Sequence, residues 1–127
     1  NDNKNLNISN NVIIDEPEIH FKDEIMYALG NIIQNAISYC NKIVYVEINY
    51  NTSRVKICIS DDGKGFAKEI IDKLGEPYVS KKTQGMGLGI FISKNLIENM
   101  GGRVTFYNSK EGHAVVEIIF DNSILNI

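Results

Sequence analysis

The 127-residue chain predicts an α+β protein: a two-layer α/β sandwich with helices on one face of a sheet. Three observations carry this reading. Two long segments place apolar residues at spacings of three and four, the period of a helix with one buried stripe. Two short segments alternate apolar and polar residues, as strands covered on a single face do. Their order is helix, two strands, loop, helix, two strands, with no internal repeat. The length suits one domain around one core.

The elements follow in order. Six of the first eleven residues are Asn, so residues 1–11 read as a polar linker and 12–127 as the domain. Val12–Ile14 suits a short edge strand, and Pro17 stops it. From Lys22 to Cys40 the apolar residues Ile25, Leu29, Ile32, Ile33, Ala36 and Ile37 mark an amphipathic helix. Asp23 and Glu24 sit in its first turn, where the dipole favours negative charge. Val44, Val46 and Ile48, then Val55, Ile57 and Ile59, form two strands joined by a hairpin turn at Asn51–Ser53. Ala67–Leu74 suits one or two helical turns, Gly75 and Pro77 break it, and Tyr78–Gln84 is a polar, lysine-bearing loop. Gly87 to Met100 is a helix with Leu88, Phe91, Ile92, Leu96 and Ile97 on its buried stripe, ended by Gly101–Gly102. A last hairpin pairs Arg103–Tyr107 with Ala114–Phe120 around a turn at Ser109–Gly112.

Composition narrows the function. With 43% hydrophobic and 23% charged residues the chain is an ordinary globular protein, and a net charge of −3 without a basic face argues against nucleic acid as a partner. No apolar run approaches the length of a membrane span. The chain starts at Asn1 with no signal-peptide pattern, so it reads as a piece of a longer protein with a sensory or membrane part upstream. Cys40 and Cys58 have no metal-ligand spacing and read as two reduced thiols.

Three short motifs carry chemistry. On the first helix, Tyr27, Asn31, Asn35 and Ser38 form a polar stripe, and two Asn one turn apart put amide oxygens side by side. Mg²⁺ takes such hard oxygen ligands and shares its shell with waters and nucleotide phosphates. The same stripe also suits a solvated helix face. After a strand comes Asp61-Asp62-Gly63-Lys64-Gly65-Phe66, which lacks the alternating acids and terminal Glu of an EF-hand loop. A carboxylate at a strand end can accept from the exocyclic amine of adenine, where guanine presents a carbonyl. The glycines let the backbone approach the base plane. A plain D-G turn is the alternative. Finally, Gly85-Met86-Gly87-Leu88-Gly89 opens the second helix. It is neither the Rossmann nor the Walker A pattern, yet glycine-rich backbone entering a helix N-terminus makes an anion site. Lys81 and Lys82 lie just upstream, as phosphate partners or as solvated loop lysines.

These three motifs in this order resemble the N, G1 and G2 boxes of the GHKL (Bergerat) ATP-binding fold of sensor histidine kinases, gyrase-type ATPases, Hsp90 and MutL. The resemblance covers about residues 12 to 120. More narrowly, Leu29–Ala36, Gly75–Ser80 and Gly85–Lys94 are similar to the RegB/PrrB group of redox-responsive histidine kinases.

The resemblance implies a mixed sheet and a mobile ATP lid over Phe66–Gln84. It implies ATP and Mg²⁺ as ligands: Asn31 and Asn35 as catalytic and metal-holding residues, Tyr39 beside the adenine, and Asp61 on its amine. Gly63 and Gly65 would lie under the base, and Gly85, Gly87, Leu88 and Gly89 at the phosphates with Lys81 and Lys82. Many histidine kinases carry Lys or Arg where this chain has Ser38, so Lys42, Lys64 or a lid lysine would have to substitute. Hydrolysing members and anti-sigma serine kinases carry Glu where this chain has Asn31, and an amide cannot act as their general base. The implied function is transfer of the γ-phosphate of Mg-ATP to a histidine on a separate dimerisation domain, absent from this chain, with a response regulator downstream. His20 and His113 lack the acceptor pattern and read as surface histidines. The domain is expected to be cytoplasmic, monomeric in isolation, and part of an inner-membrane sensor. A GHKL serine kinase or ATPase, or a degenerate nucleotide-binding regulatory module, are the alternatives.

Overall fold

The computed structural model describes residues 5–12, 22–73 and 86–121. In chain order the elements are β1 (Asn5–Val12), α1 (Asp23–Tyr39), β2 (Ile43–Tyr50), β3 (Arg54–Asp61), α2 (Lys68–Lys73), α3 (Met86–Asn99), β4 (Arg103–Asn108) and β5 (Ala114–Asp121). The strands form one mixed sheet in the order β1-β2-β3-β5-β4, with β1 parallel to β2 and every other pair antiparallel.

Strand alternation decides which side chains meet the helices. Val44 and Val46 of β2 share the inner face with Val55, Ile57 and Ile59 of β3, and with Val116, Ile118 and Phe120 of β5. Onto this face α1 packs Ile25, Ala28, Leu29, Ile32 and Ala36. The helix α3 packs beside it, against α1 and β4. The outer face carries Tyr45, Glu47, Lys56, Cys58 and Glu117, with a Lys56–Glu117 ion pair at 3.2 Å. Burial, with Glu117 and Glu47 adding to it, pushes the Cys58 thiol above its usual range, so it stays a thiol at neutral pH. The α+β, two-layer expectation therefore holds.

Two turns show how sequence closes the elements. The Asn51 side-chain oxygen accepts from the backbone N–H groups of Ser53 and Arg54 at 2.7 and 3.0 Å, an Asx turn between β2 and β3. At the end of α3, Gly101 takes φ +92°, and Gly102 and Gly101 donate to the carbonyls of Ile97 and Glu98 at 2.9 and 3.0 Å. This pairing is the Schellman closure that Gly101–Gly102 predicts.

Two expectations need correction. The lead-in read as a polar linker over residues 1–11 is, from Asn5 onward, the parallel edge strand β1, in register with β2 from Asn5↔Ile43 to Val12↔Tyr50. An edge strand needs its N–H and C=O groups more than apolar side chains, and Asn5, Leu6 and Asn7 stay exposed. Residues 13–14 of the expected Val12–Ile14 strand lie outside the described residues. The buried stripe of α3 is also shifted. Ile97 is buried and Leu96 packs against the core as expected, but Ile90 and Ser93 are buried as well, whereas Ile92 is 40% exposed. The fully buried Ser93 hydroxyl finds no hydrogen-bond partner among the described residues.

Candidate functional site

The site grows from the end of β3. Alternation that sends Val55, Ile57 and Ile59 inward also sends Asp61 inward, so a carboxylate ends the apolar row and is only 6% exposed. Its Oδ1 accepts the Gly63 N–H at 2.8 Å. Burial lifts the Asp61 pKa above the ordinary carboxylate value; the Gly63 N–H opposes this, Asp62 adds to it, and His113 pulls it back.

Asp62 does different work. Its Oδ1 accepts from the N–H groups of Asn41, Lys42 and Ile43 at 2.8, 2.9 and 3.1 Å, tying the α1–β2 connection to the end of β3. Burial alone would raise this carboxyl, but the N–H groups of Lys42, Ile43 and Asn41 outweigh it and hold the pKa below the usual range.

Glycine is required at two positions of the loop. A β-carbon at Gly63 would run into the Tyr39 carbonyl oxygen. Gly65 takes φ +82°, and a β-carbon there would strike the Gly112 carbonyl. The β4–β5 turn thus touches the loop at backbone distance. Asn108 strengthens the contact, accepting from Phe66 N–H at 2.8 Å and donating to Phe66 C=O at 2.9 Å.

Two cavities lie along α1. The first, about 790 Å³, lies within the size range of small-molecule sites and is walled by Asn35, Tyr39, Asp61, Gly63, Gly65 and Ala114, among others. The second, about 460 Å³, is walled by Tyr27, Asn31 and Gln34 on α1 and by Gly89, Ile90 and Ile92 on α3. Asn35, Ser38 and Tyr39 border both, so one polar helix stripe joins them. Among the described residues no group of three or more His, Cys, Asp or Glu side chains is placed to hold a metal ion. The side-chain oxygens lining the second cavity are the amides of Asn31, Gln34 and Asn35 with the hydroxyls of Ser38, Tyr27 and Tyr39, neutral oxygens that suit a hard cation sharing its shell with water and phosphate.

Residues 21–124 match the family described as histidine kinase-, DNA gyrase B-, and HSP90-like ATPase. The chain belongs to this family. The sensor histidine kinase RegB of Cereibacter sphaeroides is 33% identical over 107 residues, covering 76% of this chain and 23% of RegB. Sporulation kinase B of Bacillus subtilis is 31% identical over 98 residues, covering 75% of this chain and 23% of that kinase. The chain thus spans under a quarter of the length of these curated relatives. The catalytic domain of histidine kinase ThkA, in a nucleotide-free form, shares the fold with a TM-score of 0.74 at 22% identity, covering 91% of this chain and 78% of that one. Full-length ShkA in complex with AMPPNP gives 0.69 at 24% identity over 90% of this chain and 25% of ShkA. The likeness to RegB expected from the motifs is thus met, and the chain is a histidine-kinase-type ATPase domain.

In this histidine-kinase-type domain, Asn31, Asn35, Tyr39, Asp61, Gly63 and Gly65 border one or both cavities. Gly87, Leu88 and Gly89 fall in the first turn of α3, and Gly89 reaches the second cavity. Lys81, Lys82 and Gly85, with most of the expected lid, lie outside the described residues, as does His20. Lys64 borders the first cavity, and Lys42 is held through its N–H by Asp62. His113 corrects the surface reading: it is half-buried, with Nδ1 2.7 Å from the Gly63 carbonyl oxygen. Sequence reasoning also passed over the Asp62 tie and the Asn108 clamp. Neither has a local signal, because each joins residues about 20 and 42 positions apart.

Proposed function

We propose that this domain binds Mg-ATP across the two cavities and transfers its γ-phosphate to a histidine of a separate dimerisation domain, from which a response regulator receives it. The observation that carries the reading is the shared wall. Asn35, Ser38 and Tyr39 border both a cavity that ends on a buried carboxylate and one with paired helix amides. In this reading the first cavity takes the adenine and the second the phosphates.

Asp61 accepts the adenine amine through the oxygen not engaged by Gly63, which selects adenine over guanine. Gly63 and Gly65 leave room for the base plane, and Tyr39 flanks it. Asn31 and Asn35 hold Mg²⁺, which when bound screens the phosphate charge. The α3 N-terminus, with Gly85, Gly87, Leu88 and Gly89, receives the phosphates, and Lys81 and Lys82 add charge there. Catalysis is positioning and charge neutralisation rather than covalent chemistry by the domain itself.

Asn31 also favours transfer over hydrolysis, since an amide takes no proton from water. The parent protein is read as a sensor whose catalytic part faces the cytoplasm, with this domain monomeric when alone; no helix among the described residues is long and apolar enough to cross a membrane.

The test combines binding and transfer. Calorimetry with ATP, ADP and GTP, with and without Mg²⁺, is expected to give Mg²⁺-sensitive adenine-nucleotide binding that excludes GTP. Incubation with labelled ATP and a histidine-kinase dimerisation domain is expected to give an acid-labile phosphohistidine with little free phosphate. Rapid phosphate release without transfer would favour a hydrolysing ATPase instead, and absence of nucleotide binding would refute the proposal.

A further inference from the structure

Resting on that reading, we propose that His113 is a positioning residue of the adenine pocket: from the β4–β5 turn its ring holds the Gly63 carbonyl and, through Gly63, sets the Asp61 carboxylate. Gly63 is gripped on both sides. Its N–H donates to Asp61 Oδ1 at 2.8 Å, and its carbonyl lies 2.7 Å from His113 Nδ1. A carbonyl oxygen only accepts, so Nδ1 carries the hydrogen and donates. His113 therefore fixes the peptide that fixes Asp61, and the free Asp61 oxygen keeps its aim into the cavity.

The turn fixes the backbone from which the ring projects. Ser109 N–H donates to the His113 carbonyl at 2.8 Å, and His113 N–H donates to Ser109 Oγ at 3.1 Å. Gly112, at φ +86°, donates to the Ser109 carbonyl at 2.9 Å. The same turn meets the loop twice more, at Gly65 against the Gly112 carbonyl and at Asn108 on Phe66. His113 is not part of the hydrophobic core and does not border the cavity, whereas its neighbour Ala114 does. Its effect on the base therefore passes through Gly63.

The test compares wild type with His113→Ala and His113→Asn by calorimetry with Mg-ATP and Mg-GTP, alongside thermal denaturation. An Asn side chain can place an amide N–H where Nδ1–H stood. Losing one hydrogen bond to the Gly63 carbonyl is expected to weaken ATP binding about three- to tenfold in His113→Ala. His113→Asn should recover most of the affinity, with both variants melting near wild type. ATP affinity of His113→Ala within twofold of wild type would overturn the inference. So would affinity and melting temperature falling together in both variants, the mark of a merely structural role. If wild type itself bound no ATP, the proposed function would fall and this inference with it. Intact wild-type binding beside an indifferent His113→Ala would overturn the inference alone.

Discussion

Replacing Asp61 by Asn should separate function from stability, because the two respond to the same carboxylate with opposite signs. The side chain is 6% exposed and its Oδ1 accepts the Gly63 N–H at 2.8 Å, a bond that an amide oxygen can keep. The second oxygen becomes an NH₂ group, a donor where the proposed site presents the adenine amine, itself a donor. A hydrogen bond to a charged group contributes about 1.5–3 kcal/mol, so ATP affinity should fall about 10- to 150-fold. Stability should move the other way. Burial raises the folded-state pKa of Asp61 above its unfolded value, so the native state holds this proton more tightly. Stability from this group is then lost as pH rises between the two values, and the ionised carboxylate is a net cost at neutral pH. The variant carries no such cost. It should melt at or above wild type at pH 7, and the difference should shrink as the pH is lowered through the raised pKa to the unfolded value. Calorimetry with Mg-ATP and thermal unfolding at neutral and acidic pH measure both halves. An affinity loss under threefold, or a variant markedly less stable at pH 7, would refute the reasoning.

Other perturbations act on single parts of the site. Asn35→Ala, at the wall common to both cavities, should lower Mg²⁺-dependent ATP affinity about tenfold and leave Mg²⁺-free binding nearly unchanged, read by titration with and without Mg²⁺. Asp62→Ala removes the acceptor for the N–H groups of Asn41, Lys42 and Ile43 and should cost about 0.5–1.5 kcal/mol in urea unfolding at pH 7. Since the folded Asp62 pKa is lowered, wild type should lose that contribution as pH falls through the lowered value, and the two proteins should converge in acid. Gly102→Ala would put a β-carbon 2.6 Å from the Phe120 ring and 2.7 Å from Ile97, an overpacking that costs about 1–3 kcal/mol, with ATP affinity unchanged in calorimetry.

Legibility in the sequence followed the range of the interactions. The period of α1 and the alternation of β2 and β3 are local, and the structure places them within a residue or two of the expected bounds. The same alternation buries Asp61, so that part of the candidate site could be read from strand phase. By contrast, β1 is made by backbone pairing with a strand 38 positions away (Asn5↔Ile43), which its Asn-rich side chains do not advertise. On the α3 stripe Ile97 and Leu96 are legible from hydropathy, but Ser93 is a polar residue at a fully buried position, and hydropathy points to the exposed Ile92 instead. The grip of the β4–β5 turn on the glycine loop was invisible for a similar reason: Asn108 and His113 are ordinary turn residues until the sheet brings β5 beside β3.

Sheet order also explains why the end of the site proposed for the base is prearranged. Asp61 ends β3, Asn41 to Ile43 lead into β2, and the 109–113 turn leads into β5, the two strands that flank β3. Each neighbour sends a connection to the same strand end, and each is tied there, by Asp62 on one side and by His113 and Asn108 on the other. A base entering this cavity would meet donors and acceptors already held by the sheet, so little ordering entropy would be lost at that end. The end proposed for the phosphates has a different construction: its walls are two helices, α1 and α3, meeting across Asn31, Asn35 and Gly89. Substitutions in the strand-end ties should therefore alter discrimination between adenine and guanine, whereas substitutions on the helix wall should alter the response to Mg²⁺ and to phosphate number.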